Sequence, residues 1–374
     1  MNICMLSAEF PPDLGGLSYY LYNLSQELVR RGHKITVITR GTWRKSYRDL
    51  VDGIPVYRVR FMPSPPNVFA LQGFFVNRLF RTIESDFDLV HIHGSLVPPV
   101  NTSRPVVFTA HGTFAEEIDN MPVKNLYFLM VRLLRKQLFR AERRLLDRAD
   151  AVTAVSQASA EEVRKYHGLT EKVWVITPGI DPEYFVPSGT GGRGEAYILY
   201  TGRLETRKGL IDLVESARYV CQKYPQIKYI LSGRGTITQY LKRQVQSLGL
   251  ESNFCFAGYV DRQQLLEYYQ NATVYVLPSY YEGLPTSLLE AMCCGLPSVA
   301  TGVEGNSEVI TDEETGLLVP PKEPEKLAEA ILRLLEDKAL RDRLGVNARK
   351  HIESNYRWEI IAEKMEEVYQ QVTA

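Results

Sequence analysis

The chain has 374 residues, 45% hydrophobic and 24% charged, the balance of an ordinary soluble protein with room for two or three domains. Its 44 Lys+Arg and 44 Asp+Glu cancel to a formal net charge of +0, so no nucleic-acid partner is expected. No apolar run approaches the length that spans a bilayer, and the opening MNICMLSAEFPP has neither the basic region nor the apolar core of a signal peptide; a cytoplasmic protein is expected.

The charge is unevenly placed. Residues 1–180 hold 23 Lys+Arg against 17 Asp+Glu, a balance of +6, and the remainder holds 21 against 27, a balance of −6. Opposite-sign halves fit two domains with different partners, although chance gives excesses of this size. The five cysteines (Cys4, Cys221, Cys255, Cys293, Cys294) are scattered apart from one vicinal pair and show no metal-ligand spacing. Reduced thiols fit a cytosolic chain, and neither a metal nor another cofactor is expected.

In chain order, NICMLSAEF (2–10) reads as a strand and SYYLYNLSQELVRRGH (18–33) as a helix. Strands follow at 34–40, 54–61, 88–94 and 104–112, then a basic helical stretch at 124–148, a strand at 149–156, a short helix at 159–168 and a strand at 172–179. DPEYFVPSGTGGRGEA (181–196), rich in Gly and Pro, reads as a linker. The alternation then restarts: strands at 196–204, 226–235, 253–260, 273–279, 296–302 and 315–321 are separated by helices at 209–225, 238–250, 262–272 and 286–294. Helices at 325–339 and 358–372 close the chain. Strands alternating with helices mean βαβ units and parallel sheets. Two doubly wound α/β domains put a ligand crevice at the carboxyl ends of both sheets.

The unusual polar residues follow strands. Gly15 and Gly16 follow the first one, where paired glycines allow close approach to a phosphate or simply make a tight turn. His111 ends VVFTAHG and reads equally as a donor to a sugar hydroxyl or phosphate and as a satisfied core residue. Arg203 and Lys208 bracket the loop after the first strand of the second half, two cations of the kind a departing diphosphate needs; two solvated surface cations are the plain alternative. SGRG (232–235) puts Gly233 and Arg234 at the next loop.

YYEGLPTSLLEAMCCGL (280–296) carries two glutamates, Glu282 and Glu290, in an otherwise apolar segment. Pro285 fits the first position of a helix, which places Glu290 roughly 7–8 Å deeper along it. Two carboxylates beside an anion-attracting helix end can accept hydrogen bonds from the hydroxyls of a phosphorylated sugar. A capping acid plus a solvated helix acid would look the same.

Taken together, the Gly-Gly loop, T-A-H-G, P-G-I-D, G-R-L-x-x-x-K-G, G-x-G, F-x-G-x-V and E-G-L-P-T-x-x-x-E-A, in this order, resemble the family-4 retaining glycosyltransferases of the GT-B fold. The resemblance implies two Rossmann-like domains facing across a crevice. Residues 1–180 with the C-terminal helix 356–374 would form the acceptor side, and 181–355 the nucleotide-sugar-binding side. It further implies that Arg203 and Lys208 bind the donor diphosphate and that Glu290 holds the ribose hydroxyls. Glu282 would contact the transferred sugar, with Gly283, Leu284, Thr286 and Ser287 nearby. By the same resemblance His111 lies against the sugar, Gly15 and Gly16 lie beside the phosphates and acceptor, and Gly258, Tyr259 and Val260 meet the base. Gly233 and Arg234 stand in the G-x-G loop, toward phosphate or base. The implied reaction moves a hexose from a nucleotide sugar, UDP-linked first and GDP-mannose second, to a glycan or lipid-linked acceptor in envelope or polysaccharide synthesis. It proceeds with retention and without metal, the domains closing over the reactants.

The acceptor is the least legible part. Residues 123–150 carry eight cations against three acids among Leu, Phe, Tyr and Met, so this segment either lies on an anionic membrane surface or packs on the sheet with a solvated basic face. The apolar loop at 61–75 is a candidate acceptor cover. A GT-B-fold nucleotide-sugar epimerase and a non-catalytic sugar-binding protein are the alternatives. A nicotinamide oxidoreductase is disfavoured because no G-x-G-x-x-G opens a helix.

Overall fold

In the computed structural model, which describes residues 1–12, 15–61, 70–113, 134–169, 173–188 and 196–374 (side chains at 70 and 71 excepted), the chain divides into two compact units. The first comprises Met1–Gly179 with Trp358–Ala374, the second Ile180–Arg357.

The strands of the first unit are β1 (Asn2–Ser7), β2 (Lys34–Arg40), β3 (Tyr47–Val51), β4 (Ile54–Val59), β5 (Leu89–His93), β6 (Val106–Ala110), β7 (Ala151–Ala154) and β8 (Val173–Val175). They form one sheet in the order β3-β4-β2-β1-β5-β6-β7-β8, parallel throughout except for the β3–β4 hairpin. Central strands read as unbroken apolar runs because helices cover both faces of a parallel sheet; every residue of β5 and β6 is buried. The terminal helix Trp358–Thr373 buries Trp358, Ile361, Ala362, Met365, Val368 and Tyr369 against Tyr20, Leu21, Leu24 and Leu28 of the helix Gly16–Arg30. Each Ile, Met or Val so buried contributes on the order of 1.5–3 kcal/mol, enough to hold the last residues of the chain in the first unit.

The second unit holds β9 (Tyr197–Thr201), β10 (Lys228–Ser232), β11 (Phe254–Gly258), β12 (Val274–Leu277), β13 (Ser298–Thr301) and β14 (Leu317–Val319). Their order is β11-β10-β9-β12-β13-β14, and the recorded pairings are all parallel. The chain leaves β9 toward β10 on one side and returns as β12 on the other. The carboxyl ends of β9 and β12 are therefore a topological switch point, the place where such sheets bind ligands.

Four features differ from the sequence reading. The end of the stretch 61–75, read as an apolar loop, belongs to a helix at Ala70–Phe80. The edge strand β3, YRDLV, is mostly exposed and offers no alternation to detect. The helix Lys338–Asn355 runs 18 residues but buries only Leu340, Leu344, Gly345, Ala348 and Ile352, a narrow stripe containing a glycine and an alanine. Within the expected linker, Phe185 is only 1% exposed and belongs to the second unit's core; residues 189–195 lie outside the described residues.

Candidate functional site

Adjacency of β9 and β12 brings two loops together that lie about seventy residues apart in the sequence. After β9 come Gly202, Arg203, Leu204 and Glu205, a 3-10 turn at Thr206–Lys208, and Gly209 in the left-handed region at φ 65°. A Cβ on Gly209 would sit 1.7 Å from the Pro278 carbonyl oxygen just after β12, so only glycine lets the two loops close this far. Gly209→Ala is expected to cost about 3 kcal/mol or more through backbone strain and overlap, read as a lower urea midpoint.

That closure places Lys208 on Glu282. The lysine Nζ stands 2.5 Å from Glu282 Oε1, and Ser279 Oγ donates to the same oxygen at 2.6 Å. The other oxygen, Oε2, faces Arg207 Nη1 at 3.8 Å. Both side chains are largely removed from solvent, 12% exposed for the lysine and 6% for the glutamate. Burial pushes the Lys208 pKa down, and the Glu282 charge opposes that shift. Further out, Glu205 joins Arg203 at 3.2 Å and Arg207 at 3.4 Å. The group holds three cations and two carboxylates, a net positive site whose most exposed member is Arg203 at 67%. Such an arrangement is suited to hold a multiply charged anion without further counter-ions. The loop backbone is fixed from below: a Cβ on Gly305 would lie 2.3 Å from the Gly283 oxygen and 2.5 Å from that of Glu282.

Glu290 lies in the helix Thr286–Cys293. Burial pushes its carboxyl up to about 7, against the hydrogen bond from Tyr269 and the charge of Arg262. Tyr269 Oη donates to Glu290 Oε2 at 2.8 Å, and Tyr275 Oη donates to Ser287 Oγ at 2.8 Å. Pro285 is the cap of this helix rather than its first residue, with ψ at 102°; its extended backbone ends the loop, and its carbonyl accepts from Leu288 and Leu289. Thr286 and Ser287 therefore form the first turn of the helix, half-buried in both cases.

The remaining positions of the second unit line the ends of β10 and β11. Gly233, at φ 134°, lies so close to Gly202 that a Cβ would fall 1.9 Å from its oxygen. Its N–H bonds the Gly258 carbonyl. Arg234 and Tyr259 are exposed, and Val260 is half-buried.

In the first unit His111 follows β6 directly. Its Nε2 is buried with no hydrogen-bond partner among the described residues, and its ring meets Tyr20 edge-on at 5.0 Å. Two more histidines stand behind it: His93 at 5.8 Å and, 3.9 Å beyond, His91. His91 is held by Tyr369 Oη at 2.7 Å and Thr109 Oγ1 at 2.6 Å. Burial, and next the other histidines' charge, lowers His91 to about 3 and His93 well below the usual range; burial alone lowers His111 to about 4. Groups whose folded pKa lies below the unfolded value of about 6.5 stabilise fully above that value. The stability is lost as pH falls from that value toward the folded ones. Acid is therefore expected to destabilise the first unit by about 1.4 kcal/mol per pH unit per histidine below about pH 6.5. Thermal melts between pH 8 and 5 check this, with His93→Gln expected to flatten the slope.

Gly15 caps the helix Gly16–Arg30 in an extended conformation. A Cβ there would fall 2.6 Å from Oε2 of Glu9, the end of a flexible side chain that can move aside; Gly16 has nothing within 4 Å of such an atom. Sequence reading thus missed Glu9, Glu205, Arg207, Tyr269, Tyr275, Ser279 and His93. Of these, Glu205 and Arg207, both inside G-R-L-x-x-x-K-G, sat within a visible signal. Among the described residues no group of three or more His, Cys, Asp or Glu could hold a metal ion.

Comparison with known proteins places this geometry. Residues 14–184 match the model of Glycosyltransferase Family 4, and residues 189–351 that of Glycosyl transferases group 1. An uncharacterised glycosyltransferase of Methanocaldococcus jannaschii is 29% identical over 393 residues, covering 99% of this chain and 98% of that one. Sucrose-phosphate synthase from Thermosynechococcus elongatus superposes with a TM-score of 0.81 at 25% identity, covering 99% of this chain and 98% of that one. The Anabaena protein HepE in complex with UDP and glucose has the same fold, with a TM-score of 0.78 at 20% identity over 99% and 100% of the two chains.

Proposed function

The chain belongs to the family-4 glycosyltransferases of the GT-B fold, and from that premise we propose that it moves a hexose from a nucleoside-diphosphate sugar to a hydroxyl of a glycan or lipid-linked acceptor, with retention at the anomeric carbon and without a metal. The observation that carries this reading is the buried Lys208–Glu282 pair at the switch point of the second sheet, extended outward by Arg207, Glu205 and Arg203. Cations at the carboxyl end of β9 meet the donor's diphosphate. Their charge stabilises the nucleoside diphosphate as the glycosidic C–O bond breaks through an oxocarbenium-like state. Glu282 orients the hexose hydroxyls, and Gly283, Leu284, Thr286 and Ser287 surround the sugar phosphate. Glu290 accepts from the ribose hydroxyls. Gly258, Tyr259 and Val260 meet the base, with Gly233 and Arg234 beside it or the phosphates. His111, Gly15 and Gly16 serve the sugar and the acceptor from the first unit. The departing phosphate takes the acceptor's proton.

UDP-sugars are the first expected donors, supported by the UDP bound to HepE, whose fold this chain shares; GDP-mannose is the second. The test is release of nucleoside diphosphate from a panel of UDP-, GDP- and ADP-sugars in EDTA, with NMR of the transferred anomeric centre. Release of one diphosphate and an unchanged anomeric configuration are the expected results. Interconversion of free nucleotide sugars without any release would instead point to epimerisation.

A role in envelope or polysaccharide synthesis on the inner face of a membrane is the finer part of the proposal. No helix among the described residues is long and apolar enough to cross a membrane. The described part of the basic stretch, the helix Arg135–Arg148, turns Glu142, Leu145 and Leu146 inward and leaves Arg135, Lys136, Arg140 and Arg144 exposed. Residues 123–133 and 62–69 lie outside the described residues. Flotation with anionic liposomes at low salt is expected to carry the protein upward; protein left in the bottom fraction would remove this part.

A further inference from the structure

We propose that Tyr269 is a positioning residue for the Glu290 carboxylate, and that the hydroxyl relay it heads sets the pH range in which the nucleoside half of the donor binds. The inference rests on the reading of Glu290 as the ribose acid. Tyr269 is 1% exposed and sits near the end of the helix Arg262–Asn271. Its hydroxyl has three neighbours: Glu290 Oε2 at 2.8 Å, Thr201 Oγ1 at 2.7 Å and the Ser287 carbonyl oxygen at 3.3 Å. These come from β12's following helix and from the end of β9, the two elements that carry the rest of the site.

A phenol has one proton, so the partners' chemistry decides where it goes. An ionised Glu290 can only accept. Tyr269 then donates to it, and Thr201 donates to Tyr269. A protonated Glu290 can donate to Tyr269, which turns its own proton to the Ser287 carbonyl. The relay thus satisfies both charge states, but the ionised state gains the charge-assisted bond, the stronger of the two. The ionised carboxylate is also the form that accepts from two ribose hydroxyls.

The other groups facing Glu290 do not compete near neutrality. Arg262, on the same helix as Tyr269, favours the ionised carboxylate and stacks on Tyr184 at 3.9 Å. Tyr184, Tyr275 and Cys294 each feel the Glu290 charge and are all held above their usual values, chiefly by burial, so they stay neutral. With its carboxyl pushed up to about 7, Glu290 is the group whose charge changes there, and Tyr269 is the neighbour that hydrogen-bonds it.

The experiment is calorimetric titration of UDP, GDP and ADP into the full chain between about pH 6 and pH 9. Whichever diphosphate the wild type binds is then measured on Tyr269→Phe, Glu290→Gln, Thr201→Val and Tyr275→Phe. Each curve is read against Glu290→Gln, which cancels titration of the phosphate itself. Tyr269→Phe is expected to move the rise in affinity to higher pH by about one unit, hence about fivefold weaker binding at pH 7 and near wild-type binding by pH 9. Thr201→Val gives a smaller shift of the same sign, and serves if Tyr269→Phe does not fold. Tyr275→Phe, whose hydroxyl reaches Ser287 Oγ at 2.8 Å and Thr201 Oγ1 at 3.5 Å but not the carboxylate, gives the smallest shift of the set. A Tyr269→Phe curve parallel to the wild type at every pH would reduce Tyr269 to a packing residue and overturn the proposal. Failure of all three diphosphates to bind the wild type at any pH would overturn the transferase reading itself, and the relay with it.

Discussion

Lys208→Ala is expected to lower kcat by about 10²–10³, the usual loss when one preorganised donor to a developing anion is removed. The lysine is the buried member of the cation group and is held at 2.5 Å from Glu282, so its charge is already desolvated and oriented before any ligand arrives. Preorganisation of that kind costs no rearrangement at the moment the diphosphate departs. Arg203→Ala should act in the same direction, because Arg203 is the exposed end of the same chain and is free to swing from Glu205 to a phosphate. The fold itself is a separate issue. Removing one partner of a buried pair can cost 3–5 kcal/mol when the other charge is left alone. Here Glu282 keeps the Ser279 hydroxyl and faces Arg207 at 3.8 Å, so a smaller loss is expected. Urea unfolding of Lys208→Ala separates the two effects: a rate loss with a near-normal midpoint is the catalytic signature. Near wild-type rates in both variants would remove these residues from the diphosphate site.

Glu290→Ala is expected to weaken donor binding by at least about 10²-fold, since two hydrogen bonds to a carboxylate at about 1.5–3 kcal/mol each are lost, while the rate at saturating donor changes less. Stability should move the other way. Burial pushes the folded carboxyl up to about 7, above the usual carboxylate range, so its contribution to stability is present at low pH and is lost as pH rises through 7. Glu290→Gln removes that slope. The variant is expected to melt no lower than the wild type at pH 8 while binding nucleotide more weakly. A half-buried acid that costs stability fits a functional site, and a variant that lost both stability and binding would argue for a structural role instead.

Much of this architecture was legible in the sequence because the physics is local. Apolar runs such as VYVL at 274–277 and amphipathic stretches such as 210–223 announce strands and helices wherever burial is strong. The loops that carry the candidate site were visible too, because a parallel sheet confines its ligands to the carboxyl ends of its strands. What stayed hidden depends on strand order. Nothing in the sequence says that β9 lies beside β12, and only that neighbourhood brings Lys208 to Glu282 and Tyr269 to Glu290. Glu282 was read as facing a sugar, and the structure gives it Lys208 as a partner. Gly15 was read as making room for a phosphate; the atom nearest a Cβ there is a Glu9 oxygen. The helix Lys338–Asn355 escaped notice because its buried stripe is narrow and includes glycine and alanine.

The most direct test of the central claim is calorimetric titration of UDP, GDP and ADP into the wild-type chain and Lys208→Ala, in EDTA at about pH 8. The account predicts that one diphosphate binds the wild type without added metal and that Lys208→Ala binds it at least tenfold more weakly. Equal affinity in the two proteins, or binding that appears only when Mg²⁺ is restored, would contradict it.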